Sequence, residues 1–391
     1  MTAHHQVEFG WFIPTSGDGP YIGVKPEREP SLDYFIKVAK TAEHAGFEFT
    51  LIPTGHTCID AWVVGSAIAS HTMKLKPLVA MRPGLINPIL AARMAASLDV
   101  LSGGRALINV VTGGSPDDLK AHGDPLFNDH DARYDRTNEF LTIVKDAWMK
   151  SHDFHLAKYV ESGGLTGTNF HGDYYTIEGG LNLPAPVQQP HPPLYFGGSS
   201  PAGKRVAAEK ADVYLMWGET VDMIKEQIAE TEEQLAAVHN DLGVLRKLRY
   251  GLRAQLVVRP TEQEAWKAAW NIISKADPHA AAFSAKLHSR SDATNQQRQT
   301  ALWKQSEENG YVIGPNLWSG LSRIRGGGAV AFVGTPEQVS DRLIEFVEAG
   351  ISSFVLSGYP HVEEAEIAGE LLLPLVKQKL AGKGISASLA I

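Results

Sequence analysis

The sequence predicts an α/β fold built as one (β/α)8 TIM barrel, and three observations carry that prediction. Short apolar runs recur, among them Phe9-Gly-Trp-Phe-Ile-Pro14, Phe49-Thr-Leu-Ile-Pro-Thr54, Leu107-Ile-Asn-Val-Val-Thr112, Pro193-Leu-Tyr-Phe-Gly-Gly198 and Val213-Tyr-Leu-Met-Trp-Gly218. Each gives way to Gly, Pro, Ser, Thr, Asn or Trp, as a buried parallel strand does when it presents polar groups at its carboxyl end. Most are followed by a stretch of helical period, so strand and helix alternate in one direction. A doubly wound sheet would gather its chemistry at a single crevice, whereas here strand after strand ends in polar residues.

The elements follow in order. After the first strand, residues 31–47 place Leu32, Phe35, Ile36, Val38, Ala39 and Ala42 on one stripe, closed by Gly46, which predicts a helix with a glycine C-cap. The second strand (49–54) leads to a helix over 61–71. The third strand (77–81) leads to a helix over 87–101 that stops at Gly103-Gly104, and the fourth strand (106–112) to a long amphipathic helix over 131–148. Residues 152–191 are irregular, but the alternation in Phe170-His-Gly-Asp-Tyr-Tyr-Thr-Ile177 suits a small hairpin. Strand 193–198, helix 201–211, strand 213–218, helix 221–239, strand 250–258 and a helix over 261–275 with an acidic first turn continue the rhythm.

Residues 277–328 break it: they are polar, then glycine-rich at Gly326-Gly327-Gly328. An insertion of that length reads either as a lid or as a disordered surface segment. A helix over 335–349, the eighth strand (351–356) and a helix over 363–379 complete the barrel. With no linker and no short internal repeat, residues 1–391 are expected to form a single domain.

The composition is that of a globular chain with a large core, at 391 residues, 43% hydrophobic and 20% charged. A net charge of −8 and the lack of a basic block argue against a nucleic-acid partner. No run of eighteen apolar residues predicts a membrane span. Met1 to Glu8 lacks the basic-then-apolar pattern of a signal peptide. A lone cysteine, Cys58, forbids an internal disulfide, so a reducing, cytoplasmic setting is expected.

Several stretches carry chemistry. Gly198-Ser-Ser-Pro-Ala-Gly-Lys-Arg205 nearly matches a phosphate-binding loop, but Arg205 stands where Ser or Thr would hold magnesium. What survives is an anion site at a helix N-terminus, built by Gly198, Ser199 and Ser200, or an ordinary Ser-Ser-Pro cap. Arg253 interrupts the apolar strand Tyr250-Gly-Leu-Arg-Ala-Gln-Leu-Val-Val258, and Arg325 abuts three glycines; such guanidinium groups suit a tetrahedral oxyanion or a structural ion pair. Cys58 follows the second strand and is either a mouth residue or a small buried hydrophobe. The fifteen histidines show neither His-Glu-x-x-His nor close Cys/His clustering, so no metal centre is expected. In Phe354-Val-Leu-Ser-Gly-Tyr-Pro-His361, the last strand delivers Tyr359 and His361 to the mouth.

Seven phrases occur together in order: Ile13-Pro-Thr-x-Gly-Asp-Gly19, Leu51-Ile-Pro-Thr-Gly-x-x-Cys-x-Asp-Ala-Trp62, Ala96-x-Leu-Asp-x-Leu-Ser-x-Gly-Arg-Ala106, Asn109-Val-Val-Thr-Gly-Gly114, Pro192-Pro-Leu-Tyr-Phe-Gly-Gly-Ser-Ser200, Pro315-Asn-Leu-Trp-Ser-Gly320 and Phe354–His361. This set resembles the two-component, FMNH2-dependent alkanesulfonate monooxygenases of the bacterial luciferase-like superfamily, over residues of about 7–380. The resemblance implies reduced FMN from a separate NAD(P)H-dependent flavin reductase, dioxygen, and cleavage of a carbon–sulfur bond to sulfite and an aldehyde. It implies phosphate contacts at Ser199 and Ser200, and flavin contacts at Asn109, Thr112 and Tyr134. Cys58, Trp217, Arg253, Arg325, Tyr359 and His361 fall at its substrate side.

Ser16 and Gln255 stand where such enzymes usually carry His. Neutral hydrogen-bonding groups there lead us to expect a hydroxylated substrate, a sulfonated sugar such as sulfoquinovose, over a simple alkanesulfonate. Arg253, Arg325, Tyr359 and His361 are the expected catalytic set, with His361 suited to proton handling. The rival readings are an F420-dependent oxidoreductase and a flavin-storing barrel without catalysis. A homo-oligomer is expected from the resemblance alone.

Overall fold

In the computed structural model, which describes residues 6–387, eight strands close a parallel barrel. They are β1 (Gln6–Phe12), β2 (Phe49–Ile52), β3 (Lys76–Met81), β4 (Leu107–Val110), β5 (Leu194–Phe196), β6 (Val213–Trp217), β7 (Arg249–Val258) and β8 (Ile351–Ser357). Each pairs in parallel with the next, and β8 returns to β1. Met1–His5, the start of the stretch read as lacking a leader pattern, lies outside the described residues. Among the described residues no helix is long and apolar enough to cross a membrane.

The side-chain alternation of the strands sorts two cores. Phe49, Leu51, Leu78, Leu107, Tyr195, Val213, Leu215 and Val355 fill the barrel interior, while the opposite faces pack against the helices through residues such as Phe9, Trp11, Val79 and Phe354. Period-two geometry then points the next inward positions at the mouth. Asn109 follows Leu107, Trp217 follows Leu215, and Ser357 follows Val355. Arg253 sits in register with Val355 on one side and Trp217 on the other, so it too faces inward, as does Gln255 beside Ser357.

The helices start and stop where side chains can satisfy their free backbone groups. Ser31 caps the helix Leu32–Ala45, which ends at Gly46 with φ 89°, a left-handed turn that only glycine adopts without cost. The helix Pro201–Lys210 has Ser200 as its cap and proline in its first turn. The predicted hairpin is present as Thr168–His171 paired with Thr176–Gly180.

The 277–328 insertion is folded, so the disordered reading falls away. It forms helices Pro278–Ser289 and Thr294–Gln305, then an antiparallel pair, Val312–Gly314 with Leu317–Trp318. The strand Ala331–Gly334 joins that pair to the outer half of β7. Its own core gathers Trp318, Leu321, Ile324 and Val333 against Ala265, Ala269 and Ile272 of the helix Glu262–Ile273. The last helical region begins earlier than expected, at His361, because Pro360 supplies the extended residue before the first turn.

Candidate active site

The carboxyl ends of the strands bring the predicted catalytic residues into one neighbourhood. Arg253 lies in the top layer of the barrel, 4% exposed, with its guanidinium 4.7 Å from the centroid of the Phe12 ring. Nη1 donates to the carbonyls of Ala254 (2.6 Å) and Val355 (3.3 Å), and Nη2 donates to Ser357 Oγ (2.8 Å). Ser357 Oγ donates to Gln255 Oε1 (2.6 Å), whose Nε2 donates to the carbonyl of Gly328 (3.1 Å). Both ends of Gln255 are therefore engaged within the protein. Among the described residues no carboxylate pairs with Arg253. Burial first, and repulsion from Arg325 second, push its pKa well down from the ordinary arginine value, to about 9.

Arg325, also without a carboxylate partner among the described residues, donates through Nε to the carbonyl of Gly326 (3.1 Å) and through Nη1 to the Tyr359 hydroxyl. Two guanidiniums close enough to repel, neither paired with a carboxylate among the described residues, leave donor capacity that an anion could use. Three of the five N–H hydrogens on Arg253 and two on Arg325 are used, which leaves five for a ligand.

His361 is 2% exposed and forms a dyad with Asp18. Its Nδ1 lies 2.9 Å from Asp18 Oδ1, and its backbone N–H donates to Asp18 Oδ2 (2.8 Å), which also accepts from the Tyr34 hydroxyl. Burial raises the Asp18 pKa, but the charge and hydrogen bonds of His361, with Tyr34, outweigh it and leave the carboxyl below its ordinary range. The Asp18 carboxylate faces Nδ1, so Nε2 is the ring nitrogen turned away from it. Nε2 is buried and has no partner. The Tyr359 ring stands edge-on, 5.2 Å away. Asp18 is a functional candidate that sequence reasoning missed, although it sits inside the quoted Ile13–Gly19 phrase.

The residues expected to contact a flavin lie near the ends of β4 and β5. Ser200 Oγ accepts from the Gly203 N–H (3.1 Å), so it does act as a helix cap. Ser199 Oγ and Thr112 Oγ1 are buried with no hydrogen-bond partner, hydroxyls held at the mouth with unmet bonding capacity. Tyr134 is 7% exposed and reaches Gly198, where an added Cβ would lie 2.8 Å from its hydroxyl. A side chain at position 198 would fill that cradle. Asn109 lies on the inner face of β4, one residue before its end. Trp217 is partly exposed at the end of β6, and Ser16 Oγ, at the exposed rim, donates to the Thr57 carbonyl (3.0 Å) and lies 3.7 Å from Cys58 Sγ.

The sequence of residues 7–353 matches the profile of the luciferase-like monooxygenases. The chain belongs to that family. This luciferase-like barrel is also similar to solved structures. A riboflavin lyase, RcaE, shares 22% identity with a TM-score of 0.75, covering 99% of this chain and 94% of that one. The EDTA monooxygenase EmoA from Chelativorans sp. BNC1 shares 20% identity at 0.73, covering 96% and 94%. A coenzyme F420-dependent tetrahydromethanopterin reductase from Methanopyrus kandleri shares 17% at 0.64, covering 95% and 100%. At these identities the likeness establishes a common fold.

In this luciferase-like chain the insertion is tied down across the mouth. Arg298 forms a two-bond pair with buried Glu219, just beyond β6, and Gln299 Nε2 donates to the Gly218 carbonyl (2.8 Å). Ser291 Oγ donates to the Gly114 carbonyl beyond β4 (2.5 Å), and fully buried Arg133 pairs with Asp292. The fold also brings His56, from the loop after β2, to Asp118 and His122, which lie one helical turn apart after β4; only the latter pair is visible in linear spacing.

Proposed function

We propose that this protein is a two-component flavin monooxygenase that cleaves the carbon–sulfur bond of an organosulfonate, releasing sulfite and an aldehyde. The observation that carries this reading is the pair Arg253 and Arg325, two inward guanidiniums that no carboxylate of the described chain neutralises. A sulfonate supplies three oxygens for their free N–H groups, each charged hydrogen bond contributing about 1.5–3 kcal/mol.

The residues present fit a reduced FMN delivered by a separate NAD(P)H-dependent reductase. The unpartnered hydroxyls of Ser199 and Thr112 and the N-terminus of the helix Pro201–Lys210 would hold its phosphate and polar chain, beside Gly198, Ser200, Tyr134 and Asn109. When bound, reduced FMN supplies two electrons to dioxygen, one oxygen atom leaving in the aldehyde and the other in water.

The chain's own part is to bind, orient and move a proton. Arg253 and Arg325 fix the sulfonate, and the hydrogen-bonded chain through Ser357, Gln255 and Gly328 fixes Arg253. Tyr359, accepting from Arg325, keeps its own hydroxyl hydrogen to donate. His361 takes a proton at Nε2 while Asp18 stabilises the resulting imidazolium. The insertion shields the site from bulk water through Arg298 and Gln299.

Ser16, a neutral hydrogen-bonding group at the exposed rim, supports a hydroxylated substrate, and we propose sulfoquinovose over simple alkanesulfonates. With reductase, NAD(P)H, FMN and air, sulfite release from sulfoquinovose should exceed that from octanesulfonate; faster turnover of the alkane refutes the sugar preference. No sulfite from any sulfonate overturns the proposal, and substrate turnover with F420 in the absence of oxygen would replace it with deazaflavin chemistry.

A further inference from the structure

We infer that the rim of the barrel carries a second site, His56–Asp118–His122, for a divalent metal ion of the zinc class. His56 lies in the loop after β2. Asp118 belongs to the short helix Pro116–Ala121 after β4, and His122 follows one turn later, on the same face. One potential ligand atom from each lies within 4.8 Å of the others. His56 Nε2 is 3.0 Å from Asp118 Oδ1, and the two imidazole rings face each other at 5.5 Å and 29°.

An independent observation points the same way. Asp118 is only 8% exposed, and its Oδ1 is buried without a hydrogen-bond partner of acceptable geometry. Its other oxygen is held by Arg82, whose Nη2 donates at 2.5 Å. The carboxylate is thus oriented from behind, with its open oxygen toward the two imidazoles. His122 Nδ1 lies 2.8 Å from the Asp118 carbonyl. The same Nδ1 is 3.5 Å from Asp118 Oδ1; with a ring N–H donated to the carbonyl, Nε2 carries the lone pair, as metal-bound histidines are commonly held.

Two neutral imidazoles and one carboxylate suit zinc, cobalt(II) or nickel(II), and three protein ligands leave a position for water or another ligand. An ion here would join the β2 loop to the β4 loop, two residues from Cys58. The competing account of the same geometry is a histidinium–aspartate pair that has no need of metal.

Zinc titration of the chelator-treated full chain at neutral pH, followed by calorimetry, decides between them. The His56→Ala/His122→Ala double variant is the comparison, since both side chains are about half exposed and their loss should leave the fold intact. The wild type should bind one equivalent that the double variant lacks, with His122→Ala alone weakening affinity by more than the roughly 10–100-fold of an outer-shell change. Cobalt(II) should give visible ligand-field bands, and zinc should raise the melting temperature, in the wild type only. Equal zinc stoichiometry and affinity in wild type and double variant overturn the inference, as does a wild type that takes up none.

Discussion

Replacing Arg253 with methionine separates a functional cation from a structural one. Burial and Arg325 press the Arg253 pKa down to about 9, so keeping it charged at neutral pH costs the fold several kcal/mol, on the order of 5. The sign follows from linkage. A base whose folded pKa is depressed burdens the folded state while it stays charged, and at neutral pH Arg253 carries that burden in full. Arg253→Met removes that cost but also the donors to Ala254, Val355 and Ser357, a loss of about 1–3 kcal/mol at each acceptor left unmet. The terms offset, so unfolding free energy from urea melts should stay within about 2 kcal/mol of wild type or rise. Sulfonate affinity, read by titration, should fall roughly 10–150-fold or more, the equivalent of at least one charged hydrogen bond. A variant that loses more than about 3 kcal/mol of stability yet binds the sulfonate unchanged would refute the reasoning.

Other outcomes follow from the same geometry. Arg325→Ala should cripple sulfite release with little change in melting temperature, because it donates, among the described residues, to one carbonyl and the Tyr359 hydroxyl; a large loss of stability would mark it as structural. Asp18→Asn should lower kcat by roughly 10²–10⁴-fold with a smaller effect on KM, and Asp18→Glu should recover part of it. Because the Asp18 pKa is depressed from 3.8, its stabilising contribution is present above that pH and lost below it; acid melts of Asp18→Asn should lack this component. Ser199→Ala, removing a buried hydroxyl without a partner, should leave stability within about 1 kcal/mol while weakening FMN binding, measured by flavin fluorescence.

The barrel was legible because each strand announces its buried faces and its polar end, and all eight expected strands form it. The inward aim of Arg253 was legible for the same reason: an arginine inside an apolar strand has few places to go. The internal order of 277–328 was not, since that stretch is polar and two of its ties, Arg298 to Glu219 and Ser291 to Gly114, reach partners far away in the chain. Asp18 lay in plain view, but its pairing with His361 spans 343 positions and leaves no periodic trace. Gln255 shows a different limit of sequence reasoning. Its identity suggested a hydroxyl partner, and only the fold reveals that Ser357 and Gly328 engage both ends of its amide.

A crystal structure of the protein soaked with an organosulfonate tests the central claim most directly. The account predicts the sulfur atom between the Arg253 and Arg325 guanidiniums, with sulfonate oxygens at hydrogen-bonding distance from both and the reacting carbon toward His361 Nε2. A sulfonate seated instead at Ser199 and the helix Pro201–Lys210, with both arginines untouched, would contradict it.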